Sequence, residues 1–194
     1  MRIVSGAKLR SLPPLIKWRL MDLNSLREEG DYPGTSSGFR KFILNLERKG
    51  LLTSFEDHFW QRKIVCLTKE GEKQIGAGEK LPSISEESFS HDSRLSLLGR
   101  CFQNLESVEE VILEHELLDG RRVGEVSGHV PDGIIKGSKR KGKFRIALEL
   151  ELSRKSQKRY LSKIQDYLKS SAYSHALYFF NSEGVYKSYM GTIK

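Results

Sequence analysis

Two acidic residues, Glu149 and Glu151, lie two apart in the apolar run Phe144–Ser153. Strand side chains alternate between faces, so Ala147, Glu149, Glu151 and Ser153 share one face. Ile146, Leu148, Leu150 and Leu152 share the other. A strand this apolar is expected to be internal, where two neighbouring carboxylates are costly without a compensating charge. A divalent cation is one compensation, with Asp132 of Pro131-Asp132-Gly133 as a third oxygen donor. A cluster of Lys and Arg is another. Both readings stand at this point, with Arg145 and Lys155 as the candidate partners in a metal-free pairing. Asp132 also suits a turn ahead of Gly133.

The 194-residue chain carries a net charge of +8, which favours a polyanionic partner. The excess is concentrated. Residues 136–163 hold eleven Lys and Arg against Glu149 and Glu151. A basic loop, Lys139, Arg140 and Lys141, and a basic helix carrying Lys158 flank the acidic pair, so this surface is expected to face phosphate. Cys66 and Cys101 have no CxxC or ligand spacing and read as reduced packing residues of a cytoplasmic protein. No segment approaches the length of a membrane span, and no signal peptide is evident at the start. His91, His115 and His129 lack metal-ligand spacing, which argues against zinc.

Elements that position these residues follow from periodicity. Residues 15–23, after Pro13-Pro14, read as a helix. Residues 29–34 are rich in turn formers. Thr35-Ser36-Ser37 offers N-caps to a helix with an apolar stripe of Phe39, Phe42, Ile43 and Leu46, closed by Gly50. Residues 51–53 and 64–67 read as a hairpin with a polar, aromatic tip that includes His58 and Trp60. A short helix opens at Thr68. Gly, Pro and Ser cluster at 76–85, which reads as a linker. Beyond it the expected order is a helix at 92–105 capped by Ser90, strands at 108–118, 126–135 and 144–153, a helix at 156–168, and a strand at 176–180. In that second helix Tyr160, Ile164, Tyr167 and Leu168 are expected inward and Lys163 near or outside the margin. Glu116 reads either as a further acidic member of the site or as a surface residue.

The first half, with the phrase Leu46-Glu-Arg-Lys-Gly-Leu-Leu52 followed by Leu67-Thr-Lys-Glu-Gly71, resembles a winged helix-turn-helix domain. Residues 1–78 carry fourteen Lys and Arg against nine Asp and Glu. The resemblance implies a DNA-reading helix exposing Ser36, Ser37, Arg40, Lys41, Asn45 and Arg48, and a wing whose Arg62 and Lys63 reach phosphate. Winged helices also serve as protein-docking modules.

The second half, with Pro131-Asp132 ahead of Ala147–Ser153 and then Lys155, Tyr160, Lys163 and Tyr167, resembles the PD-(D/E)xK nuclease superfamily. More narrowly it is similar to the replication-relaxation group of mobile elements. The implied fold is α+β: a winged helix over 1–78, a linker over 79–88, and an αβββαβ nuclease-like domain over 89–194. The implied site binds Mg²⁺ or Mn²⁺ through Asp132, Glu149 and Glu151. Its catalytic lysine, displaced from position 151, is sought on the next helix, at Lys155 or Lys158. The implied function is DNA binding in replication, mobilisation or transcriptional control. An active Mg²⁺-dependent endonuclease is the alternative, and an interaction adaptor is a third. Double-stranded DNA is the expected partner; a homodimer and proteins of a replication or transposition machinery are further ones.

Overall fold

The computed structural model describes residues 6–57, 61–76, 84–118, 129–140 and 142–193. His58, Trp60, Lys141, the first half of the expected 79–88 linker and the start of the expected 126–135 strand lie outside them. The fold is α+β, with two separate sheets.

The first unit spans residues 1–97. Its elements are α1 (Gly6–Leu9), α2 (Pro14–Trp18), β1 (Met21–Asp22), α3 (Leu23–Glu29), α4 (Ser36–Arg48), β2 (Leu52–Asp57), β3 (Arg62–Leu67), α5 (Lys69–Gln74) and the first part of α6 (Glu86–Gln103). The helix expected over 15–23 is broken. Arg19 adopts a positive φ of 62°, and Met21 pairs with Val65 as a short antiparallel strand. Asp22 then caps α3, its Oδ1 accepting from the Asn24 and Ser25 amides. The strands order β1-β3-β2, all antiparallel.

The helix α4 forms as its pattern dictates. The Thr35 hydroxyl accepts from the Gly38 amide, and Phe39, Phe42, Ile43 and Leu46 are all buried. Four such side chains contribute roughly 1.5–3 kcal/mol each by leaving water. Gly50, at φ +68°, ends the helix while the Leu51 amide donates back to the Leu46 carbonyl.

The units divide within α6, after Leu97, rather than in the Gly/Pro/Ser-rich stretch. Contacts explain why the helix's first turns belong with residues 1–84. Phe89 stacks on Phe55 at 4.8 Å, Asp92 pairs with Arg19 at 3.0 Å, and the Ser96 hydroxyl donates to the Leu20 carbonyl. Ser90 lies inside this helix; Ser85 caps it by accepting from the Ser88 amide.

The second unit, residues 98–194, contains the end of α6, then β4 (Val108–Leu113), α7 (Glu114–Leu118), β5 (Gly133–Lys139), β6 (Gly142–Glu151), α8 (Gln157–Lys169), β7 (His175–Phe180) and α9 (Glu183–Ile193). The strand expected to run to 118 stops at Leu113. There the Leu113 amide donates to Glu116 Oε2 and the Glu114 amide donates to the Asp132 carbonyl. Pro131 and Asp132 precede β5 rather than lying in it. The sheet orders β4-β5-β6-β7, antiparallel except for the parallel pair β6/β7 that α8 connects. Ile134 and Ile135 are adjacent and both buried, so β5 is covered on both faces. Phe102 of α6 meets Phe179 from one side; Tyr160 of α8 and Tyr189 of α9 meet Tyr178 and Phe180 from the other.

Candidate functional site

Beyond the Gly133↔Leu148 pair, β6 outruns β5. The Leu150 amide faces that gap, and Asp132 Oδ2 accepts its hydrogen bond at 2.6 Å. Asp132 thus stands in for a missing strand neighbour.

Glu149 and Glu151 occupy the β6 face that α8 covers, opposite Tyr178 and Phe180 in the parallel register. Both are buried, Glu149 with no exposure at all. The charge that compensates them is Lys163. Its Nζ lies 2.7 Å from Glu149 Oε2 and 3.0 Å from Glu151 Oε1. Glu149 Oε1 also meets His129 Nε2 at 3.0 Å and accepts a hydrogen bond from the Tyr167 hydroxyl. Burial alone would lower the Lys163 pKa. The two carboxylates outweigh it and hold the ammonium above its ordinary value. Tyr167 and Tyr178 are pushed well above theirs, first by burial and then by the Glu149 charge.

This arrangement corrects the expected position of Lys163, which turns inward with only 15% of its side chain exposed. Side-chain type and helical spacing point in opposite directions at this position, and spacing prevails. Residues 160, 163 and 167 are separated by three and four, so Lys163 falls on the stripe of the two inward tyrosines. Leu168, expected inward, is 81% exposed. Lys155 lies half-buried between β6 and α8 and makes no hydrogen bond or ion pair among the described residues. Glu116 is half-buried on the Leu113 amide. The sequence expects Tyr167 inward and gives His129 no role; the structure brings both onto Glu149.

The donor set as placed does not fit a bare divalent ion. The Glu149 carboxylate already receives Lys163, His129 and Tyr167. One Asp132 oxygen is taken by a backbone amide. Among the described residues no group of three or more His, Cys, Asp or Glu side chains gathers at metal-holding distance.

A cleft of about 410 Å³ opens beside this cluster, lined by His129, Ser156, Lys158, Arg159, Ser162, Lys163 and Asp166. Lys139 and Arg140 are exposed at the β5–β6 turn.

In the first unit, the side chains of Ser36, Ser37, Arg40, Lys41, Asn45 and Arg48 are all exposed on α4, opposite its buried stripe. None has a side-chain partner among the described residues. A groove of about 500 Å³ brings Arg40 together with Arg62 and Lys63, beside Asp22 and Glu28. Arg62 is exposed, whereas Lys63 is half-buried and pairs with Glu47 at 2.8 Å. Among the described residues no helix is long and apolar enough to cross a membrane. Comparison with protein-family models and with curated proteins returned no match for this chain.

Proposed function

We propose that this protein binds double-stranded DNA through α4 of a winged helix-turn-helix unit, and that its second unit is a nuclease-like domain serving in binding rather than cleavage. The observation that carries this reading is the solvent face of α4. Six polar or basic side chains stand there without partners among the described residues, on a helix whose opposite stripe is anchored in the core. Such a helix suits a major groove, and the groove shared by Arg40 and Arg62 suits a neighbouring phosphate. The setting would be replication, mobilisation or transcriptional control of a mobile element, with DNA-bound partner proteins or a second copy of the chain.

The pairing of Lys163 with Glu149 and Glu151 supports binding over cleavage, because the two carboxylates already share a cation. The same contact also favours a second reading. It sets a lysine from α8 beside the acidic pair, the role that the resemblance sought at Lys155 or Lys158. A Mg²⁺- or Mn²⁺-dependent endonuclease would require Lys163 to leave the pair.

Mixing the purified chain with a labelled duplex and with supercoiled plasmid separates the two. Binding without nicking in Mn²⁺ is expected. Nicking that disappears in Glu149→Gln would replace this reading with the endonuclease, and an absence of duplex binding would remove both.

A further inference from the structure

The cleft beside α8 shares His129 and Lys163 with the carboxylate cluster, and the rest of its chemistry is graded along the helix. Ser156, Lys158 and Arg159 stand at one end, Ser162 in the middle and Asp166 at the other. Ser156, Arg159 and Asp166 fall on one stripe, spaced by three and seven; Lys158 and Ser162, four apart, lie on the adjacent one. Arg159 and Asp166 are seven residues apart, so helical rise separates them by roughly 10 Å.

The groups at the two ends have no competing commitments. Lys158, Arg159, Ser162 and Asp166 are exposed and make no side-chain hydrogen bond or ion pair among the described residues. Ser156 Oγ accepts from the Arg159 amide, which leaves its own O–H to donate. Lys163 is different. It lines the cleft, yet its charge is committed to Glu149 and Glu151. Freeing it would strand two buried carboxylates, so the anion-binding charge comes from Lys158 and Arg159.

We infer that this cleft is a subsite for one nucleotide unit of a nucleic-acid strand. The phosphate is held by Lys158, Arg159 and the Ser156 hydroxyl, and a sugar hydroxyl or base amine donates to Asp166. A guanidinium and an ammonium at one end select a phosphate. A carboxylate about 10 Å further along repels a second phosphate and accepts from a donor at a distance that inorganic phosphate, bound at the other end, does not span. The volume lies within the range of about 300–1,000 Å³ of small-molecule sites. The identity of the anion rests on the nucleic-acid reading above; the site itself does not.

The test is thermal unfolding of the full chain at fixed ionic strength. The probes are an equimolar mixture of the four deoxynucleoside 5′-monophosphates, inorganic phosphate, and the four deoxynucleosides. The monophosphates are expected to raise the Tm by at least about 2 °C at concentrations several-fold above Kd, and more than phosphate does. Lys158→Ala with Arg159→Ala should abolish the shift. Asp166→Asn should reduce the monophosphates' advantage over phosphate while leaving the phosphate response in place. The inference is overturned by no shift, by an equal shift with phosphate alone, or by the same shift in the double variant. Binding of a labelled duplex, measured on the same preparations, keeps the two ideas apart. Duplex binding without a monophosphate shift removes only this subsite; a monophosphate shift without duplex binding removes only the duplex reading.

Discussion

The Lys163 ammonium of α8 lies 2.7 Å from the fully buried Glu149 carboxylate of β6, tying the crossover helix to the strand it covers. Lys163→Met removes the lysine that Glu149 and Glu151 share. Removing one partner of a buried pair typically costs about 3–5 kcal/mol. Urea unfolding should show a loss of that order, and adding Glu149→Gln with Glu151→Gln should recover part of it. A Lys163→Met protein as stable as the wild type would mean that the pair carries no such charge.

The same variant should respond to metal as the wild type does not. With Lys163 gone, the two carboxylates lose the ammonium they share, and a divalent ion becomes their natural compensation. Millimolar Mn²⁺ is expected to raise the melting temperature of Lys163→Met and to leave that of the wild type unchanged. A wild-type shift that disappears in Glu149→Gln would show instead that an ion displaces the lysine.

Asp132 makes a separable prediction. Its Oδ2 accepts the Leu150 amide where β6 has run past β5. Asp132→Ala orphans that amide, at a cost of about 1–3 kcal/mol. Asp132→Asn keeps an acceptor oxygen and should lose much less. Equal losses in the two variants, measured by urea unfolding, would point to the carboxylate charge rather than the backbone contact.

Alkaline pH should destabilise the second unit. The folded-state pKa of Lys163 lies above its ordinary 10.5, so its contribution is complete below about pH 10.5 and is lost as pH rises through the folded value. Tyr167 and Tyr178 are raised above 10.0 and act in the same direction, because the unfolded chain releases those protons first. Stability should therefore be level to about pH 10 and fall beyond it. Tyr167→Phe should make the fall shallower. A fall that begins near neutrality would have another origin.

Part of this was legible in the sequence. Period-two alternation puts Glu149 and Glu151 on one face, and the 3.6-residue stripe of α4 names both its core and its exposed side chains. The partner of the acidic pair was not legible by residue type, because a lysine on a basic helix is normally solvated. Only its spacing from Tyr160 and Tyr167 marks it as inward. The end of β4 and the break after α2 depend on contacts distant in sequence: the Asp132 carbonyl on the Glu114 amide, and Met21 beside Val65. The final helix, α9, has a weak polar–apolar pattern, and it covers the sheet through Tyr189 against Phe180.

The most direct test of duplex recognition by α4 is a salt titration of duplex binding, comparing wild type with Arg40→Ala plus Lys41→Ala. Each lost phosphate contact should lower the slope of log K against log salt by about 0.9. Loss of a base contact should weaken binding by about 1–3 kcal/mol. The expected result is weaker binding, with a shallower slope wherever these side chains meet phosphate. Superimposable titrations would contradict the account and take this helix out of the interface.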